Sequence, residues 1–187
     1  MISVQIDSIV GSEIVTLTEV KNYARVDVST DDDIITSMIK SAREKCEAII
    51  NRDIVSKTRS VFMSNLNSSG EYDELYARRT KYTLPYAPIT SIQSVQTQAS
   101  DGTLTTISYE SYGLDDKYIE LSASSNKNIK IAYTTTGMTN DDLKLAIKQL
   151  VATYYDNRSD FETGISINEI PSNVKSILSP YIFYNEL

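Results

Sequence analysis

Carboxylates are the residues of this chain with the widest chemical reach: Asp115, Asp116 and Glu120 lie close together, and Asp31, Asp32 and Asp33 are consecutive. Two converging carboxylates can act as acid and base in glycosidase-type hydrolysis, and a carboxylate cluster can hold a hard cation. The rest of the catalytic repertoire is narrow. The 187 residues include no histidine, which removes the commonest general base and the commonest transition-metal ligand together. Ser-His-Asp, Cys-His and zinc-histidine sites are therefore excluded. The single cysteine, Cys46, cannot form an internal disulfide and sits on an apolar stripe, where it reads as a core residue. The glycines, Gly11, Gly70, Gly102, Gly113, Gly137 and Gly164, are scattered at expected turns and build no phosphate cradle.

Neither acidic group reads as a site. Adjacent carboxylates on a helix point in different directions, and no glycine follows Asp31 to Asp33 at the spacing of a calcium loop. They stand instead at the head of an apolar-periodic run, where negative charge meets the positive end of a helix dipole. Asp115, Asp116 and Glu120 fall beside a turn in a polar context, which reads as a solvated hairpin. The sequence thus implies no catalytic residue, no metal ligand and no cofactor.

Helices and strands alternate along the chain in blocks. Thr16 and Glu19 form a capping-box pair that opens a short helix. After Arg25-Val26-Asp27, Thr30 is the expected N-cap of a long helix, with Ile34, Ile35, Met38, Ile39, Ala42, Cys46, Ile49 and Ile50 on one stripe. Residues 1 to 15 read as an extended arm or an edge strand, because Ile2, Val4 and Ile6 alternate. From Ile54 the period changes to two, giving expected strands at 54 to 63, 89 to 98, 103 to 109, 117 to 121 and 128 to 134. Asp101-Gly102 is a hairpin signal, and Pro85 and Pro88 bracket an extended segment. Thr139 and Asn140 precede a second long helix whose buried stripe runs from Leu143 to Tyr155, and Pro171 opens a short last helix.

The fold class is therefore α+β: two long amphipathic helices with short helices form a helical body, and a small antiparallel β module is inserted between them. Residues 1–53 form the N-terminal arm and helical half, 54–137 the inserted β module, and 138–187 the C-terminal helical half and tail, in one composite domain. No apolar run is long enough to cross a bilayer and no signal-peptide pattern opens the chain, so a soluble protein made in the cytosol is expected. A net charge of −7 disfavours a broad grip on nucleic acid, which needs clustered Lys and Arg, yet suits a wall along which a duplex slides.

The ordered pattern resembles the head-to-tail connector, or head completion, proteins of tailed bacteriophages. The residues that carry it are Leu17, Val20, Lys21, Arg25, Val26, Asp27, Asp31 to Asp33, and Asn51-Arg52 after the long helix. Leu84-Pro85-Tyr86-Ala87-Pro88-Ile89 with Ile92 and Val95 continues it, as do Tyr154-Tyr155-Asp156-Asn157-Arg158 and Ile170-Pro171-Ser172-Asn173-Val174. The resemblance implies a structural virion protein of the neck. It would form a homo-oligomeric, twelvefold ring under the portal protein, meet tail or further neck proteins below, and pass DNA through its lumen without sequence-specific binding or membrane contact. The runner-up is a carboxylate enzyme or small-ligand module.

Two regions are candidate contact surfaces. The apolar tail Tyr181, Ile182, Phe183 and Tyr184 must pack on its own core or meet a partner, and the resemblance favours portal docking. Tyr72, Tyr76, Tyr82 and Tyr86 cluster around a loop, where some of them are expected at a subunit interface, and Arg78, Arg79 and Lys81, the one local basic cluster, read as a solvated loop or hairpin tip or, functionally, as a phosphate or portal contact.

Overall fold

A computed structural model describes residues 2–64, 81–115, 117–122, 128–157 and 171–184. The chain divides into a helical unit, residues 12–54 and 138–184, and a sheet unit, residues 1–11, 55–137 and 185–187. The fold is α+β, with four α-helices and two antiparallel sheets among the described residues.

The helical unit begins with α1, Leu17–Ala24. Its capping box is present in full: Thr16 Oγ1 accepts from Glu19 N at 3.2 Å, and the Glu19 carboxylate accepts from Thr16 N at 2.7 Å. Those two bonds satisfy donors that a helix start otherwise leaves open. They also hold the Glu19 carboxyl below its usual range, chiefly through the bond from the Thr16 backbone. The helix stops where Arg25 turns left-handed, at φ 55°.

The long helix α2 spans Asp32–Ile50, and its N-cap is Asp31 rather than the expected Thr30. A turn in which Asp32 N donates to Ser29 O shifts the start by one residue. The Asp31 carboxylate caps no backbone donor; it accepts from Tyr155 Oη at 2.6 Å, while Asp32 pairs with Lys21 at 2.6 Å. Asn51, at φ 53°, ends α2 in the left-handed region. Helix α3 covers Asp141–Asp156 behind an extended Asn140, α4 covers Ser172–Leu178 behind Pro171, and a 3-10 turn follows at Ser179–Tyr181.

The apolar stripes meet as their spacing predicts. Ile35, Ile39, Ala42, Cys46 and Ile50 of α2 share one core with Leu143, Ala146, Ile147, Leu150 and Val151 of α3, and with Val174 and Leu178 of α4. Each large side chain so buried contributes about 1.5 to 3 kcal/mol. Ile34 departs from the stripe and stays 43 % exposed, because the first turn of α2 leaves it outside the core. Cys46 is fully buried, and burial pushes its thiol up to about 12.

The larger sheet of the sheet unit orders its strands β1-β2-β8-β4-β5: β1 Ile2–Ile9, β2 Lys57–Met63, β8 Asn128–Thr135, β4 Ile89–Gln98 and β5 Leu104–Thr106. The smaller sheet orders β3 Lys81–Thr83, β7 Tyr118–Leu121 and β6 Tyr109–Tyr112. Val61 and Met63, Ile129, Ile131 and Tyr133, and Val95 point inward with Tyr82, Ile119 and Leu121 of the smaller sheet, forming a second core. The opposite face of the larger sheet presents Ser3, Gln5, Thr58, Ser60, Ala132, Thr134, Ser94 and Gln96, as the cross-strand register requires.

One strand expectation changes. The run 103 to 109 divides into β5, paired with β4, and β6, paired with β7, because the chain leaves one sheet for the other at Ile107 and Ser108. The edge-strand reading of the first residues holds, with β1 antiparallel to β2. At Asp101-Gly102 the hairpin is as expected: Gly102 takes φ 86°, and Asp101 Oδ1 accepts from Thr103 N at 2.9 Å.

Candidate docking surfaces

The C-terminal tail is positioned by the end of α2. Within the helical unit, the fully buried Arg43 receives three carboxylates: its Nε lies 3.0 Å from Glu13, one terminal nitrogen 2.6 Å from Glu47 and the other 3.3 Å from Glu44. Burial pulls the guanidinium pKa down, but the Glu47 and Glu13 charges outweigh it and hold the group above its usual value. Glu47 also accepts from Ile54 N at 2.9 Å. The turn after α2 is thereby fastened to the helix that precedes it.

That turn receives the tail. Pro180 tightens the chain into the 3-10 turn, after which Phe183 N donates to the open Ile50 carbonyl at 2.7 Å. The Arg52 guanidinium lies 4.8 Å from the centre of the Phe183 ring. Tyr181 Oη donates to Asp142 at 2.9 Å, and that bond raises the phenol pKa. Tyr181 and Ile182 pack against the helical core. Tyr184 differs from these three, standing 80 % exposed. The four tail residues therefore divide into a fastened stem, Tyr181 to Phe183, and an outward tyrosine.

Of the second group of expected contact residues, Tyr72, Tyr76, Arg78 and Arg79 lie outside the described residues. Lys81, in β3, approaches Glu120 at 3.6 Å across the small sheet, and Tyr82 faces the sheet core. Tyr86 takes φ 63° and lies under the Arg59 guanidinium at 3.7 Å.

Sequence reasoning missed one exposed apolar feature. At the β6–β7 hairpin tip Leu114 is 90 % exposed, beside Tyr112 and Tyr118, whose rings stack at 5.2 Å. Gly113-Leu114-Asp115, an aliphatic residue inside a polar turn, was the available signal. On the N-terminal edge strand that alternation had marked, Ile6 and Ile9, with Val10 just beyond it, are all about half exposed or more.

The carboxylates considered at the outset have other contacts where they are described. Glu120 is ion-paired with Lys81, the Asp115 main chain accepts from Ile89 N, and Asp116 lies outside the described residues. No group of three metal-ligating side chains converges among the described residues. No described helix is long and apolar enough to cross a membrane.

No curated protein sequence gives a significant match. Among solved structures, the chain is similar to one in the neck of an empty gene transfer agent (GTA) particle computed with C6 symmetry. That pair has a TM-score of 0.70 and 16 % identity over 99 % of this chain and 97 % of the other. A chain of the native GTA virion matches at TM-score 0.69 and 16 % identity, over 98 % of this chain and 97 % of that one. A chain of the native GTA neck computed with C12 symmetry matches at 0.62 and 16 %, over 96 % and 97 %. Residues 13–182 match the family model described as head completion protein. A span of that extent means that the chain belongs to the head completion protein family, as a structural virion protein and not an enzyme.

Proposed function

We propose that copies of this chain form a ring beneath the portal of a phage-like particle, join head to tail and extend the DNA channel. The observation that carries the reading is the family match over residues 13–182. The likeness to neck chains solved under C6 and C12 symmetry supports a twelvefold ring in the virion neck. In a cyclic ring each subunit offers one face to a different face of its neighbour. The portal lies above, and tail or further neck proteins lie below. DNA passes without sequence-specific binding, because a net charge of −7 repels phosphates rather than gripping them.

Within this assembly Tyr184 is the portal anchor, set by the stem Tyr181, Ile182 and Phe183. Tyr72, Tyr76, Arg78 and Arg79 contribute to the lateral contact. Cryo-electron microscopy of the neck of the source particle tests the proposal. Tracing the chain as a ring between portal and tail is the expected result; neck density fully accounted for by other chains would overturn it.

A further inference from the structure

The outer face of the larger sheet is nearly free of charge. Ser3, Gln5, Ser60, Ala132, Thr134 and Ser94 lie on it in register, all exposed or half-buried. Among its described residues the charged ones are Asp7, which accepts from Ser60 Oγ at 2.7 Å, and Lys130, flanked across the strands by Phe62 and Gln96. Lys117 touches its rim, donating to the Thr90 carbonyl at 3.2 Å. The cations of β2, Lys57 and Arg59, point to the other side and are buried. An ordinary solvent-facing surface carries charge at roughly a quarter to a third of its positions, and charged residues make up 23 % of this chain, so the face is depleted of them although its side chains reach solvent. A protein partner is a poor match. Interface cores are enriched in aromatic residues and arginine and depleted in serine, whereas the large apolar side chains here are Phe62, half-buried, and Leu104, on the last strand.

We propose that this face lines the DNA channel and is the surface along which the duplex slides. The inference rests on the ring reading above and names which face of the subunit turns inward. A cyclic ring repeats every lumen side chain once per subunit. A single carboxylate there becomes a belt of negative charge that opposes the entry of phosphates, and a single lysine becomes a belt that grips them through counterion release. A conduit avoids both, either by leaving charge out or by cancelling it within each subunit. This face does the two together: its field is hydroxyls and amides, and Asp7 offsets Lys130 in sign. Hydroxyl and amide groups hydrogen-bond phosphate oxygens without reading sequence. Being neutral they release no counterions, so each contact breaks easily as the duplex advances. Several are tied down across strands, with Gln93 donating to Thr134 at 3.0 Å and Ser60 to Asp7. The net charge of −7 therefore lies on the rest of the chain, where it keeps DNA from binding elsewhere.

A photocrosslinker tests this in filled particles. Ser94→Cys and Ala132→Cys, each labelled with an azidophenacyl group, place the probe on facing positions of β4 and β8, while the native Cys46 is buried and takes no label. Irradiation is expected to join the chain to packaged DNA from at least one site. Crosslinks to protein alone would mean that a subunit or partner covers the face, and a labelled ring that yields no crosslink would mean that the face turns outward; either overturns the proposal while leaving the ring standing. Particles in which the chain forms no ring overturn both readings. As a second measurement, Ser94→Lys with Thr134→Lys puts new cations on the face of every subunit. DNA release from such particles is expected to slow by at least about tenfold at low salt and to recover as salt rises. Release at the wild-type rate at every salt concentration, from rings that contain the variant, would also refute it.

Discussion

Replacing Arg43 by methionine tests how the helical unit holds the turn that receives the tail. The side chain is 1 % exposed and meets carboxylates of very different exposure, 54 % for Glu44, 35 % for Glu13 and 6 % for Glu47. The Glu44 pair lies in water and contributes at most about 1 kcal/mol; the Glu13 pair, partly screened, adds little more. Glu47 decides the outcome. Without the guanidinium its buried carboxylate loses the 2.6 Å pair while still accepting from Ile54 N–H, and breaking a buried pair costs about 3 to 5 kcal/mol. With a urea slope of about 2 kcal/mol per molar, the midpoint falls by roughly 1.5 to 2.5 M. The chain contains no tryptophan, so the transition is followed by circular dichroism at 222 nm, which reports the helices. Adding Glu47→Gln removes the stranded charge while keeping an acceptor for Ile54 N, and is expected to recover about 2 kcal/mol. A midpoint shift below about 0.5 M for Arg43→Met, or no recovery in the double variant, would refute the reasoning.

Tyr184→Ala removes an exposed side chain, so it should leave stability within about 0.5 kcal/mol and weaken portal binding in a pull-down; unchanged binding would remove Tyr184 from the anchor role. Truncation after Pro180 behaves differently, because it deletes Ile182 from the core and the Phe183 bond to Ile50, and a measurably lower melting temperature is expected. Thr16→Ala breaks the capping box and should cost about 1 kcal/mol at neutral pH. The Thr16 backbone bond, the main cause of the lowered Glu19 pKa, survives the substitution, but the part carried by the hydroxyl bond to the carboxylate is present above the ordinary 4.5 and fades as pH falls through the lowered folded pKa, so the cost of Thr16→Ala should shrink without vanishing in acid. Cys46 should resist thiol reagents at pH 8 and react on unfolding, since its thiol is buried and titrates near 12; rapid labelling of the native protein would contradict its place in the core.

Periodicity and local capping made the helical unit legible. Thr16 with Glu19, and the stripe from Ile35 to Ile50, are local patterns whose physical meaning does not depend on the rest of the chain. The start of α2 was misread by one residue because a turn at Ser29 competes with a Thr30 cap, and Asp31 is claimed by Tyr155, more than a hundred positions away. Ile34 fits the stripe by spacing yet falls beyond the reach of the core. The split of 103 to 109 depends on which sheet each strand joins, which alternation does not encode. For the tail, composition showed that Tyr181 to Tyr184 needs cover, but the separation of Tyr184 from the other three follows from one backbone bond to Ile50. Leu114 escaped notice because it lies in a turn, where alternation has nothing to report, whereas the alternation of Ile2, Val4 and Ile6 did mark β1 as an edge strand.

Each unit is assembled from stretches of chain that are far apart. On a ribosome, β1 emerges first and waits for β2 while both α1 and α2 are made, and α2 then waits for α3 until the whole sheet unit has followed. Contacts of such long sequence separation slow folding, since loop closure precedes the reward of packing. A nascent chain interrupted before residue 141 would expose the α2 stripe with no α3 to cover it, a state prone to aggregation and to proteolysis. Interleaving therefore acts as a quality filter during synthesis. A chain that ends prematurely in the middle strands presents neither finished surface, and so would be excluded from the proposed ring.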